Sequence, residues 1–219
     1  MIDLHTHSLL SDGELLPSEL ARRAHVNGIK AIAITDHVDS SNIEWVIPAL
    51  IKVSENLNKY WNIYVIPGVE LTHVPIEAIK ELTDLAREKG AKIVVGHGES
   101  PVEPVIKGTN RAAIEAGVDI LAHPGFIKGD EARLAAEKGV CLEITTRQGH
   151  SQTNQHVFEV GIRSGAKLVV NSDSHAPGDI LTETLRNEVI RDITDSSAHR
   201  EAILRNSEEL VEKIRKGSK

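Results

Sequence analysis

The chain has 219 residues, of which 40% are hydrophobic and 26% are charged, and its formal net charge is −7. This length and composition are ordinary for a globular protein and exclude a disordered or fibrous one, so we expect a single domain over residues 1–219. The negative charge offers no broad basic surface for nucleic acid. No apolar run approaches the roughly 18 residues of a membrane span and no signal peptide starts the chain, so we expect a soluble, cytoplasmic protein that contacts no membrane.

Short runs of β-branched residues alternate with helical patterns along the whole chain. Pro17 before "SELARRAHVNG" marks the first helix, and two closing helices are predicted over 180–192 and 198–216. This alternation predicts an α/β fold with a parallel sheet, either a barrel or a doubly wound sheet. The single cysteine, Cys141, falls in an apolar run, which predicts a buried strand position rather than a reactive thiol. The predicted strands lie near residues 2–6, 30–35, 63–70, 92–96, 119–122, 140–145 and 167–172.

Nearly every predicted strand ends in a histidine or an acidic residue, a placement that favours the barrel because the C-terminal ends of barrel strands meet at one face. Residues i and i+2 of a strand face the same side, so His5 and His7 should point together, as should Asp173 and His175. Imidazole and carboxylate ligands suit zinc, manganese or iron, and so many of them predict two or three ions. The residues at the strand ends are His5, His7, Asp36, His37, Glu70, His97, His123, Glu143, Asp173 and His175.

Six segments, in chain order, resemble the polymerase and histidinol phosphatase (PHP) superfamily: "DLHTHSLLSDG", "AITDH", "IPGVELT", "GHG", "AHPG" and "NSDSH". The similarity runs from residue 3 to residue 175, and the combination of H-x-H-x4-D, T-D-H and S-D-x-H is more specific than any one motif. The resemblance implies a distorted (β/α)7 TIM-like barrel with a metal site for three divalent ions at the C-terminal face of the sheet.

The resemblance also implies which residues hold each ion. The first ion would take His5, His7, Glu70 and Asp173. Glu70 would bridge to a second ion that His97 and His123 also hold, and Asp12, His37 and His175 would hold the third. Zinc, manganese and iron all remain possible occupants because the family varies in its metal.

Such a site suits the hydrolysis of a phosphoester by metal-activated water. The carboxylates of Asp12, Glu70 and Asp173 neutralise half of the charge of three divalent ions, so the site attracts an anionic substrate. The water would be held at His5, His7, Glu70 and Asp173, with His37 and His175 as candidate proton donors for the leaving group. Arg147, His150 and Arg111 are candidate substrate contacts.

Four further residues could support the site. Asp3, Asp36 and Glu143 could orient the ligands by hydrogen bonds, and His73 could lie at the entrance. The expected function is that of a phosphatase for a small phosphomonoester, similar to histidinol phosphatase. The alternatives are a phosphodiesterase or nuclease, an amidohydrolase-type enzyme, and a metal-stabilised module without activity. The amidohydrolase alternative is the weaker because no lysine lies at a strand end to bridge two metals.

Overall fold

The computed structural model describes residues 1–217, in which strands and helices alternate as the sequence predicts. The strands are β1 (Ile2–Asp3), β2 (Ala31–Ile34), β3 (His37–Val38), β4 (Tyr64–Leu71), β5 (Ile93–His97), β6 (Ile120–Ala122), β7 (Cys141–Thr145) and β8 (Leu168–Asn171). The helices are α1 (Pro17–Val26), α2 (Ile43–Tyr60), α3 (Ile79–Glu88), α4 (Thr109–Ala116), α5 (Gly129–Lys138), α6 (Asn154–Ser164), α7 (Glu183–Ile193) and α8 (Ser197–Lys216).

The strands form a nearly closed barrel in which every paired strand is parallel to its neighbour. Their order is β1-β2-β4-β5-β6-β7-β8, and the two-residue β3 continues the line of β2 and pairs with β4. The first and last strands meet just beyond their ends, where Thr6 bridges to Ser174. The amide of Asp173 donates to the carbonyl of His5 there at 2.9 Å. The barrel of seven parallel strands confirms the predicted fold class.

Both faces of the sheet are buried, as expected for a parallel barrel covered by helices. Alternate residues of β2 belong to two different apolar clusters: Ala31 and Ala33 to the smaller, Ile32 and Ile34 to the larger one that the helices cover. Ile214 of α8 packs into the smaller cluster. The period of two along the strand therefore gives an inner and an outer apolar layer.

The predicted strands and closing helices correspond to elements of the structure, and Cys141 is buried in β7 as expected. The short β3 was not predicted as a separate strand. Within the described residues, none of the helices combines the length and the apolarity needed to cross a bilayer.

Candidate metal centre

Nine potential ligand residues converge at the C-terminal ends of the barrel strands. Because the strands are parallel, residues that follow their last hydrogen-bonded positions come together at one end of the barrel. Two of them lie within strands near their ends, Glu70 in β4 and His97 in β5, and His37 lies in β3. The others follow β1, β6 or β8: His5, His7, Asp12, His123, Asp173 and His175.

The first group consists of His5, His7, Glu70 and Asp173, all of them buried. Nε2 of His5 lies 3.3 Å from Oε2 of Glu70, and Nε2 of His7 lies 3.2 Å from Oδ1 of Asp173. The two rings are neighbours, with centroids 5.0 Å apart. The i, i+2 spacing of the two histidines therefore does direct them toward the same two carboxylates.

The second group consists of Glu70, His97 and His123, which offer ligand atoms within 4.8 Å of one another. Nε2 of His123 lies 3.7 Å from Oε1 of Glu70, whereas His5 is near the other oxygen of the same carboxylate. Glu70 thus presents one oxygen to each group. That is the geometry of a carboxylate able to bridge two ions.

The third group consists of Asp12, His37 and His175 on the solvent side of the first. Oδ1 of Asp12 lies 3.5 Å from Nε2 of His37, and its Oδ2 lies 3.3 Å from Nε2 of His175. The ring of His7 is stacked at 4.2 Å on the rings of both these histidines. His7 therefore stands between the first and third groups, a position that sequence spacing does not predict.

Several buried polar atoms of these residues have no hydrogen-bonding partner, which tests whether the groups fit metal ions. Burying such atoms unpaired is costly, whereas a cation would satisfy them together. The unpaired atoms include Nε2 of His5, both ring nitrogens of His7, both oxygens of Glu70, Nδ1 of His123 and Oδ1 of Asp173. The donor set, all imidazole and carboxylate, fits zinc, manganese or iron.

The pKa values of three buried residues of these groups also fit metal binding. Burial raises the pKa of Asp173 to about 6. Burial, together with the charges of His37 and His5, holds the pKa of His7 well below its usual value. Burial and the charge of His97 do the same to the pKa of His123. A neutral imidazole is the form that binds a metal, so these two histidines are already in their ligand form near neutral pH.

His5 has the opposite ionisation and a dedicated partner. Although burial opposes its charged form, the carboxylates of Glu143, Glu70 and Asp173 hold the pKa of His5 well above its usual value. Oε1 of Glu143 lies 2.9 Å from Nδ1 of His5, which leaves Nε2 facing the first group. Glu143 also accepts from the backbone amide of His123 at 3.1 Å. One buried glutamate therefore orients ligands of two groups.

Asp3 and Asp36 do not bind the ligand imidazoles, which corrects the expectation that they orient them directly. Asp3 accepts from the amide and hydroxyl of Ser172, and Asp36 accepts from the amide and hydroxyl of Ser8. The side chain of Asp36 alternates away from that of His37, the ligand next to it in sequence. The two aspartates fix the loops that carry the ligands.

The three candidate substrate contacts occupy different environments. Nη1 of Arg147 donates to Oδ2 of Asp179 at 3.1 Å and to the carbonyl of Asp173 at 3.4 Å. His150 is buried with its ring centroid 4.3 Å from that of His123. Arg111 forms exposed ion pairs with Glu115 and Asp130. Arg147 and His150 thus adjoin the ligand groups, whereas Arg111 is engaged at the surface.

Glu103 is a residue of the site that sequence reasoning missed. It lies in the loop between β5 and α4, and its carboxylate is within 3.2 Å of the Nε2 atoms of His73, His97 and His150. Hydrogen bonds from His150 and His97 hold the pKa of Glu103 far below its usual value. The one sequence signal was its place between two prolines in "SPVEP", which marks a shaped loop but not its direction.

Three residues of this region have strained backbones. His73, His123 and Asp173 have φ angles of 52°, 28° and 52°, in the left-handed region that is costly for residues with a side chain. Such strain concentrates at functional sites, where the surrounding structure holds the side chain in place. The side chains of these three residues all lie at the ligand-rich end of the barrel.

A parallel barrel that gathers imidazoles and carboxylates at the ends of its strands defines the class of metal-binding barrel proteins. Comparison with protein families then specifies the family. The PHP domain model matches residues 3–211, and the chain belongs to the PHP domain family. This membership confirms the family predicted from the motifs and, with it, the class of enzyme, a hydrolase that acts on phosphoester bonds.

Three similar proteins illustrate the range of relatives. An uncharacterized protein of Methanocaldococcus jannaschii is 48% identical over 189 residues, covering 85% of this chain and 87% of the relative. The DNA polymerase/3'-5' exonuclease PolX of Bacillus subtilis is 27% identical over 192 residues, covering 79% of this chain but 34% of the relative. The structure of histidinol phosphate phosphatase from Lactococcus lactis, complexed with zinc, L-histidinol and phosphate, matches with a TM-score of 0.61. That similarity covers 88% of this chain and 93% of the other at 18% identity, and it shows a shared fold.

Proposed function

We propose that this protein is a metal-dependent phosphatase that hydrolyses a small phosphomonoester with three divalent ions. The observation that carries the proposal is the set of unpaired buried atoms on His5, His7, Glu70, His123 and Asp173. Each of these residues would supply a ligand atom to a cation. Zinc is one candidate, in keeping with the zinc-containing histidinol phosphate phosphatase that shares the fold.

Different residues of the chain would bind the ions, orient the ligands and exclude water. The ions, when bound, would supply a water of lowered pKa as nucleophile and positive charge against the phosphate oxygens. Glu70 and Asp173 hold the first group together, and Glu143 keeps Nδ1 of His5 engaged so that Nε2 faces inward. The barrel end is buried around them, which excludes bulk water and strengthens the electrostatic interactions.

Protonation of the leaving alcohol falls to the third group. His37 and His175 are its partly exposed members, with 24% and 14% of their side chains accessible, so they face the side from which substrate enters. The carboxylate of Glu70 and other neighbours raise the pKa of His37 despite its burial. Whichever of the two histidines is not bound to the third ion can carry a proton and deliver it to the departing oxygen, because an imidazole that binds a metal is neutral.

A small substrate is supported by the surroundings of Arg147. A cavity of about 540 Å³ is lined by Arg147, Gly149 and Asp179, among others, and Asp179 accepts from the backbone amide of His175. Nε and Nη2 of Arg147 are available to donate to a phosphate, since only Nη1 is bonded to Asp179 and Asp173. The cavity would accommodate the alcohol portion of a phosphomonoester.

Metal analysis and a generic substrate test the proposal. Purified protein should contain more than two ions per chain and hydrolyse an aryl phosphate, and His5→Ala should abolish most of that activity. Fewer than two ions per chain, or unchanged activity in His5→Ala, would overturn it. Glu137→Gln, on the exposed face of α5, is a control that should leave metal content and turnover unchanged.

A phosphodiesterase or nuclease is the second candidate, and the similarity to the exonuclease PolX favours it. Comparing an aryl monophosphate with its bis-aryl diester under the same metal separates the two. We expect faster turnover of the monoester because its phosphate is a dianion and that of the diester a monoanion, and three divalent ions would leave an excess of positive charge at the site. Faster diester turnover would reverse the order of the two candidates.

A further inference from the structure

Glu103, which is not one of the nine proposed ligands, contacts three imidazoles, of which only that of His97 belongs to the proposed trinuclear site. Its Oε2 lies 3.1 Å from Nε2 of His73 and 3.1 Å from Nε2 of His97, and its Oε1 lies 3.2 Å from Nε2 of His150. The ligand atoms of His73, His97 and Glu103 all lie within 4.8 Å of one another. We call these three residues the outer group.

The tautomer of His97 makes this arrangement unlike an ordinary hydrogen-bonded cluster. Nδ1 of His97 lies 3.1 Å from the carbonyl oxygen of Gly98, which can only accept, so Nδ1 carries the proton of the neutral ring. In the neutral ring Nε2 is then an acceptor that faces a carboxylate oxygen, another acceptor, and a cation would take the place of the proton that His97 otherwise donates to Glu103. Two such atoms attract each other only through a shared proton or a shared cation.

His150 fixes the orientation of the carboxylate. Its Nδ1 lies 2.7 Å from the hydroxyl of Ser100, which can donate to it, so Nε2 of His150 can donate to Oε1 of Glu103. Oε2 is left for the outer group. The carboxylate of Glu103 thus has Oε1 bonded to His150 and Oε2 directed between His73 and His97.

His97 belongs to the outer group and to the second group, but its Nε2 has a single lone pair. One nitrogen lone pair binds one cation, so an ion held by His73 and Glu103 cannot share His97 with an ion held by Glu70 and His123. The two positions are therefore alternatives for the same ion. They differ in exposure, because Glu70 and His123 are buried whereas the side chains of His73 and Glu103 are 42% and 33% exposed.

We propose that His73, His97 and Glu103 form an outer binding position for a divalent transition metal ion, from which the ion passes to the second group by keeping His97 as its ligand. Two imidazoles and one carboxylate suit zinc, manganese or iron. His73 has a strained positive φ, a cost that the surrounding structure sustains and that is typical of functional sites. The inference rests on the proposed function because it assumes that the second group binds an ion.

Metal stoichiometry of variants separates the two positions. His123→Asn removes a ligand of the second group and leaves the outer group complete. We expect this variant to keep the wild-type number of zinc ions, with the ion moved outward, and His123→Asn combined with Glu103→Gln to hold one ion fewer. If His123→Asn alone already lacks that ion, the outer position is overturned. If the wild-type protein itself binds fewer than two ions, the proposed function fails instead.

The rate of zinc uptake by metal-free protein, followed by competition with a chromophoric chelator, gives a second test that leaves the buried residues intact. Glu103→Gln should slow uptake of the ion of the second group by about 10-fold, in the range by which charge accelerates capture. His73→Asn should slow it as well, although it removes no negative charge, because it removes a ligand. Glu137→Gln is the matched control for lost charge and should take up zinc at the wild-type rate. Wild-type uptake in both Glu103→Gln and His73→Asn overturns the proposal whether or not His123→Asn folds.

Discussion

Oε1 of Glu143 lies 2.9 Å from Nδ1 of His5, and both side chains are completely buried. The same carboxylate accepts from the side-chain amide of Asn171 and the backbone amide of His123, so all of its bonds come from donors. It connects the end of β7 with the loops after β1 and β6. The position of the first group therefore depends on a residue that is not itself one of the nine ligands.

Glu143→Gln should weaken metal binding without removing a ligand. The new amide would place N–H donors against groups that already donate, so His5 or the backbone at His123 would lose its partner. We expect a loss of about 10–100-fold in affinity for the first ion, measured by zinc titration. Glu131→Gln is the matched control, since Glu131 is also buried but only accepts from the amide of Lys128 at the start of α5. Equal affinities in the two variants would contradict the prediction.

Gly13 should be intolerant of a side chain. A Cβ at this position would overlap the backbone carbonyl of His7, which cannot move without displacing the imidazole. We expect Gly13→Ala to lower the free energy of unfolding by about 1–3 kcal/mol in urea titrations and to weaken binding of the ion at Asp12. Gly178→Ala is the control, because a Cβ there meets nothing within 4 Å. If both variants unfold at the same urea concentration, the close approach at Gly13 does not affect the free energy of unfolding.

Arg147→Ala should raise the KM for an aryl phosphate while leaving the metal content unchanged. The reason is that the guanidinium retains N–H groups directed at neither Asp179 nor Asp173, and these can bind a phosphate oxygen. Loss of such a charged hydrogen bond corresponds to about 10-fold or more in KM. Arg163→Ala, on the exposed end of α6, is the control. A loss of metal with an unchanged KM would instead make Arg147 a support for the loop of Asp173.

Cys141 should resist alkylation in the folded protein. Burial raises the pKa of its thiol from 9.0 to about 11, so the thiolate that reacts is scarce at pH 9. Mass spectrometry after iodoacetamide treatment should find the native protein unmodified and the urea-unfolded protein modified once. The folded state holds this proton more tightly than the unfolded state does, so the thiol contribution to stability falls as the pH rises from about 9 through 11. Rapid labelling of the native protein at pH 9 would refute the prediction.

The barrel was predictable because its signals are local. Each principal strand is a short β-branched run, and the ligands at strand ends, such as His97 and Asp173, follow those runs directly in sequence. Parallel topology then brings these ends together whatever the loops do. The sharing of Glu70 between two groups was implied by the family resemblance and not by the position of this residue in its strand.

What the sequence did not reveal depends on loop conformation. Glu103 is six residues beyond the end of β5, and no periodicity relates its direction to that of the strand. The stacking of His7 between His37 and His175, and the bonding of Asp3 to Ser172, likewise depend on how separate loops pack. Within a strand, the alternation of residues predicts the direction of a side chain, whereas in a loop tertiary contacts set that direction.

The bridge between Thr6 and Ser174 has a consequence for how the protein is made. Synthesis runs from the N-terminal side, so Asp173 is added to the chain 168 residues after its partner His5. At synthesis rates of about 5–20 residues per second, roughly 8–34 seconds pass before β1 can meet β8. Metal capture by the complete first group would therefore follow closure of the barrel, and His5 and His7 remain without Asp173 until the residues beyond β8 have been made.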